Sequence, residues 1–248
     1  MTFPKGDNEI MLFPPPSPPD WALIETVLLD MDGTLLDKHF DDHFWEKYVP
    51  SQYAIRYGVT VEAAEKKLMD LYRIQEKTLN WTDLDYWSGE LGLDIPALKK
   101  QVDHLIAVHP HVTPFLDALR SAGKRVCLVT NAHGKTLDLK MEKTALSGLF
   151  HDVVTSHTIG LPKEDPAFWG ELRKIIPFDP EKTFLGEDTE AVLLSAAQYG
   201  IRYLVHVGRS SSKRPATVSD RFYSIETFAQ IMPGEEEKFE IRNSKLKK

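Results

Sequence analysis

Residues 26–37 read TVLLDMDGTLLD. A run of β-favouring and apolar residues, Thr26 to Leu29, passes directly into Asp30-Met31-Asp32 and then Gly33-Thr34. An uninterrupted apolar run this short suits a strand covered on both faces, as in a parallel sheet. Its end sets two carboxylates side by side where the strand gives way to a loop. That arrangement asks for a cation or a proton to share.

Downstream of this stretch the pattern changes twice. From Lys38 to about His111 no comparable strand appears, and FDDHFWEKYV, PSQYAIRYG, TVEAAEKKLMDLYRIQEKTLN, LDYWSGELG and IPALKKQVDHLIAV read as helices. Ala64, Leu68, Leu71 and Ile74 supply the helical period in the third of these. From Thr113 onward, helical segments alternate with short strands at 125–130, 152–156, 183–186 and 202–207. Such alternation predicts a doubly wound parallel sheet with right-handed crossovers, an α/β Rossmann-like core. The organisation expected is a proline-rich arm over 1–20, a core formed by 21–37 and 113–233, an all-helical insert over 38–112, and a charged tail over 234–248.

The chain has 248 residues, 42% hydrophobic and 27% charged, which suits one domain with an insert or two small domains. A net charge of −7 and a pI near 5.7 argue against a general nucleic-acid or membrane-binding face. The one cysteine, Cys127, excludes an internal disulfide and is expected to be an inert core residue in a reducing, cytoplasmic setting. No apolar run reaches the roughly 18 residues of a membrane span, and the start lacks a signal-peptide pattern. FPPPSPP near the start reads as an extended arm rather than a helix. His109 and His111 flank Pro110 without a further ligand motif and read as a solvated pair.

In a doubly wound sheet, ligands bind beyond the carboxyl ends of the strands. Those ends carry Asp30 and Asp32, then Thr130-Asn131, then Glu187-Asp188, with Lys163 after the third strand. Carboxylates gathered there would repel one another and raise each other's pKa unless a cation joined them. An all-oxygen set favours a hard metal, and Mg²⁺ suits a phosphate site. Lys163 adds positive charge, and Asp165-Pro166 opens a helix whose N-terminus favours an anion.

The strand-end motifs DMDGTLLD, LVTNA, Lys163 and LGEDTEAV together resemble the four motifs of the haloacid dehalogenase (HAD) superfamily, over roughly residues 24–207. An insert after the first motif resembles the C1-capped group. TVLLDMDGTLLD, LNWTDLDYWSGELGLDI, VTNAHGKTLDLKME and GLPKEDPAFW look like the bacterial purine 5′-nucleotidases that hydrolyse GMP and IMP.

The resemblance implies roles. Asp30 would attack phosphorus, and Asp32 would act as general acid and then base. Thr130 and backbone N–H groups near Asn131 would bind phosphoryl oxygens, and Lys163 would hold nucleophile and phosphate together. Asp30, Asp188 and the main-chain carbonyl of Asp32 would hold Mg²⁺, with Glu187 supporting from behind. Val192 stands where the fourth motif commonly has a second aspartate, and Glu164 where many members have proline. Superfamily dehalogenases and phosphonatases lack an acid at the place of Asp32.

Aromatics in a helical insert are usually its core. Even so, Trp81 and Asp85 are the expected contacts for stacking and for the N1–H of a purine. The expected partner is a small phosphate ester, with no nucleic acid or membrane. A sugar-phosphate phosphatase or phosphomutase is the alternative, and a non-catalytic binding protein the remaining one.

Overall fold

The computed structural model describes residues 17–234. Six parallel strands form one sheet in the order β3-β2-β1-β4-β5-β6. They are β1 (Thr26–Leu29), β2 (Arg125–Thr130), β3 (Asp152–Thr155), β4 (Thr183–Glu187), β5 (Tyr203–Val207) and β6 (Tyr223–Ile225). Strand β1 is central, pairing Leu29 with Leu128 on one side and Gly186 on the other. All four of its residues are buried, as its apolar run requires.

Alternation along the strands divides two cores. Val27 and Leu29 pack with Phe115, Leu116 and Val126 on one face. Leu28 packs with Cys127, Val129, Trp169 and Leu172 on the other. Helix α6 (Val112–Ser121) leads into β2, and α7 (Gly134–Thr144), α8 (Ser156–Ile159), α9 (Ala167–Ile175) and α10 (Glu190–Tyr199) connect the later strands. Cys127 is buried, and burial pushes its thiol up to about 12, which keeps it in the unreactive form.

Between β1 and α6 lie only helices: α1 (His39–His43), α2 (Val49–Tyr57), α3 (Val61–Gln75), α4 (Leu84–Leu91) and α5 (Ile95–Gln101), with a π-helical segment and single 3₁₀ turns. Local chemistry sets their ends. Thr60, Asp83 and Asp94 accept the first free backbone N–H groups of α3, α4 and α5, while Gly58 and Gly92 close α2 and α4 in the left-handed region. These helices bury a third core built on Phe40, Phe44, Leu68, Tyr72, Trp87 and Ile95, and Leu139 of α7 joins it.

Several sequence expectations need correction. Residues 39–57 are one continuous helical run, because α1 passes into α2 through a π-helical segment, Phe44–Tyr48. Pro50 offers no N–H to the turn before it, and the helix widens there. Helix α9 begins at Ala167 with Pro166 as its cap residue, although Asp165 still accepts from the Ala167 N–H at 2.9 Å. His109 is half-buried, with Nε2 3.1 Å from the Ser210 carbonyl, so it is not solvated like its exposed neighbour His111. Strand β6 was not expected: three residues on a sheet edge leave no periodicity to read.

The arm expected over 1–20 lies outside the described residues as far as position 16, and the tail does so from 235. Among the described residues, no helix is long and apolar enough to cross a membrane.

Candidate active site

The strand order reverses between β1 and β4, so their carboxyl ends open a crevice at the centre of the sheet. Asp30 follows β1, Glu187 ends β4 and Asp188 follows it. Thr130 ends the neighbouring β2. These groups and Lys163 line a cleft of about 360 Å³, roofed by Trp45, Tyr72 and Trp81 of the helical insert. That volume falls in the range of about 300–1,000 Å³ usual for small-molecule sites.

Lys163 is buried and makes three bonds. Its Nζ donates to Asp30 Oδ1 at 2.5 Å, to Glu187 Oε2 at 2.7 Å and to the Val129 carbonyl at 3.2 Å. Asn131 fixes the approach, because its Oδ1 accepts from the Lys163 N–H at 3.0 Å and its Nδ2 donates to Glu164 at 2.9 Å. Glu164, where proline was the common residue, thereby gains a role in holding this loop. Thr130 accepts from the Ala132 N–H at 3.0 Å, which turns the chain beside the cleft.

Oxygens of Asp30, Glu187 and Asp188 lie within 4.8 Å of one another. Burial raises the pKa of Asp30; Lys163 opposes that shift and Asp188 adds to it. Burial and the charge of Asp30 push Glu187 well up despite Lys163. Lys38 Nζ lies 2.9 Å from Asp188 Oδ2. Burial disfavours the Lys38 ammonium, yet Asp188 with Asp30 and Asp42 outweighs it and the pKa rises. Carboxyl oxygens of three residues thus converge with no sulfur or nitrogen ligand among them, an all-oxygen set that fits a hard cation. Both Glu187 oxygens are already engaged, Oε2 by Lys163 and Oε1 by the Thr189 N–H at 3.1 Å, which suits the supporting place expected for it.

Gly33 shows how closely this region is packed. Its φ is +90°, and an added Cβ would fall 2.3 Å from Asp188 Oδ2. Gly33→Ala must therefore displace the carboxylate or the loop. We expect phosphate release to fall by at least about tenfold with the fold retained. Steady-state kinetics beside a thermal melt check this, and wild-type turnover would show that Asp188 is free to move.

The sequence reading did not find the groups around Asp32. Lys140 Nζ lies 2.5 Å from Asp32 Oδ1 and 2.5 Å from Asp41 Oδ2, and Lys99 Nζ lies 2.7 Å from Asp41 Oδ1. Burial raises Asp32 to about 6, with Lys140 opposing. Burial would raise Asp41 too, but Lys140 and Lys99 hold it well below the usual carboxylate range. A signal existed in the sequence: Thr136, Leu139 and Lys140 stand at helical spacing on α7, so Lys140 falls on its buried stripe.

Of the two expected specificity residues, Trp81 lines the cleft and is 36% exposed. Asp85 does not line it. Asp83 takes the capping position of α4, which leaves Asp85 in the exposed first turn, paired with Lys135 at 2.5 Å.

A second grouping, Asp83, His133 and His157, also brings ligand atoms within 4.8 Å. Both rings are engaged, however: His133 Nδ1 accepts from the Lys135 N–H at 3.3 Å, and His157 Nε2 pairs with Thr82 Oγ1 at 2.9 Å. The grouping ties the insert to the core.

The fold and cleft define an α/β enzyme with a carboxylate-lined, metal-compatible site under a helical roof. A family model for haloacid dehalogenase-like hydrolases matches residues 24–200, and the chain belongs to that family. It is 39% identical over 213 residues to the GMP/IMP nucleotidase YrfG of Escherichia coli K12, covering 86% of this chain and 96% of that protein. It is 25% identical over 190 residues to a phosphoglycolate phosphatase of Aquifex aeolicus, covering 72% and 83%. The crystal structure of a HAD phosphatase from Thermococcus onnurineus superposes with a TM-score of 0.70 at 22% identity, covering 87% of this chain and 97% of that one.

Proposed function

We propose that the protein is a Mg²⁺-dependent phosphoric monoester hydrolase that cleaves purine nucleoside monophosphates, GMP and IMP foremost. The observation that carries this reading is the pairing of two carboxylates at one strand end. Asp30 is held by Lys163 and Asp32 by Lys140, beneath an aromatic-roofed cleft. The relative named for GMP and IMP supports the substrate class. In this reading residues 21–37 and 113–233 form the catalytic core, and 38–112 form its cap.

Asp30 attacks phosphorus, so an Asp30–phosphorus bond forms as the ester oxygen–phosphorus bond breaks. Asp32 gives its proton to the departing alcohol oxygen. It then takes a proton from the water that attacks the aspartyl phosphate, which releases phosphate and restores Asp30. Thr130, the backbone N–H groups near Asn131 and Lys163 receive the phosphoryl oxygens. Mg²⁺, when bound by Asp30, Asp188 and the Asp32 carbonyl, supplies positive charge against the phosphate. Trp81 offers a flat face to the base.

The test is phosphate release from GMP, IMP, AMP and ribose 5-phosphate, with and without chelator. GMP and IMP should exceed AMP by about tenfold or more in kcat/KM, the preference that the name of the GMP/IMP relative implies. Chelation should abolish activity and Mg²⁺ should restore it. A preference for ribose 5-phosphate removes the nucleotidase reading, and full activity in chelator removes the metal.

A further inference from the structure

We propose that Lys140 and Asp41 are positioning residues for the acid Asp32, and that through them the helical insert sets the leaving-group step. This rests on the phosphatase reading but not on the identity of the substrate.

The four groups form a chain: Asp32, Lys140, Asp41, Lys99. Lys140 bridges Asp32 and Asp41 with 2.5 Å contacts to each, and Lys99 closes the far side of Asp41 at 2.7 Å. The side chains of Lys140 and Lys99 are each 2% exposed. Lys99 Nζ lies 4.8 Å and 4.9 Å from the ring centres of Phe40 and Phe44, and Lys140 Nζ 5.1 Å from that of Phe40. The ammonium groups are therefore enclosed by aromatic faces as well as by carboxylates.

The chain also crosses between two parts of the fold. Asp32 follows β1 and Lys140 lies on α7, whereas Asp41 and Lys99 belong to α1 and α5 of the insert. Buried ion pairs add little stability over apolar packing of the same volume, so their presence points to a need for fixed geometry. Here the need is visible. Asp32 has one lysine partner, and that lysine is held by a carboxylate of the insert.

Helix α1 makes a second contact of the same kind. Lys38, just before it, reaches Asp188, while Asp41, three residues on, reaches Lys140. Residues three apart share a helix face. One turn of the insert thus touches the acid's holder and a carboxylate of the candidate metal set. When the insert is seated, both are placed together; when it lifts, Lys140 loses Asp41 and Asp32 loses its fixed orientation.

The experiment uses the full-length protein with Mg²⁺ and two aryl esters that differ in leaving group, p-nitrophenyl phosphate and phenyl phosphate. Variants Lys140→Met, Lys140→Arg, Asp41→Asn and Asp32→Asn are compared. A positioning role predicts that kcat falls more for phenyl phosphate, which needs protonation more. We expect about tenfold or greater excess loss for Lys140→Met and a smaller excess for Asp41→Asn, with KM moving little. Lys140→Arg should recover part of the discrimination.

Equal losses on both esters, or a rise in KM alone, would show that the chain merely fastens the insert and would overturn the proposal. Should Lys140→Met fail to fold, Asp41→Asn and Lys140→Arg, which keep partners for the buried groups, decide by the same criterion. If Asp32→Asn itself shows no dependence on leaving group, the acid assignment has failed and this proposal goes with it. If Asp32→Asn shows the dependence and the others do not, the proposal alone is overturned.

Discussion

Replacing Asp30 with asparagine is expected to lower kcat by about 10⁴-fold or more, because the variant keeps the shape of the side chain but has no anionic oxygen to form the bond to phosphorus. The surroundings make the substitution clean. Lys163 retains Glu187 at 2.7 Å and the Val129 carbonyl at 3.2 Å, so its ammonium stays bound. A second outcome separates catalysis from folding. Burial and Asp188 raise the pKa of Asp30 above its ordinary value. A group raised in this way adds stability below its unfolded pKa and withdraws it as pH rises through the native one. At neutral pH in chelator, burial of the Asp30 carboxyl therefore costs stability, and Asp30→Asn should melt at the same or a higher temperature. Phosphate release together with a thermal melt measures both. Activity within tenfold of wild type would remove the covalent step, and a sharp fall in Tm would show that Asp30 is structural.

Asp32→Asn carries the other large expected effect, a loss of about 10²–10⁴-fold on nucleotide esters, the contribution typical of a positioned acid–base group. Burial raises this carboxyl to about 6, which places it near the pH at which it must both give and take a proton. Aryl phosphates with good leaving groups should lose less, since their departing oxygen needs little protonation. Parallel kcat measurements on GMP and p-nitrophenyl phosphate check this. Equal losses would mean that Asp32 serves mainly to shape the loop that Gly33 turns, and that the proton comes from elsewhere.

The differing legibility of these residues has a physical origin. Asp30, Thr130 and Asp188 could be placed at one sheet edge in advance because each stands at or just after a strand end, and strands announce themselves by local apolar runs; Lys163, beyond α8, was legible through its motif. A parallel sheet then has few ways to arrange those ends, so residues as distant in sequence as Asp30 and Asp188 meet without further information. The insert gave no such constraint. Its helices could be read from their periodicity, but which faces meet the core depends on packing between α1, α5 and α7. Asp85 was a fair candidate on composition and failed on geometry, since Asp83 took the cap and turned Asp85 towards Lys135.

By itself, then, the chain's local pattern determined the parallel α/β core, the helical nature of the insert and the carboxylates after β1 and β4, because burial period and strand-end position are properties of neighbouring residues. Only the tertiary structure decided that Lys140, 108 positions from Asp32, would hold it, and that Asp41 and Lys99 would close the chain of charges behind. Lysines look alike in sequence whether solvated or buried. What distinguishes Lys140 and Lys99 is enclosure by Phe40, Phe44 and two aspartates, Asp32 after β1 and Asp41 on α1, and that enclosure exists only once the insert has packed against α7.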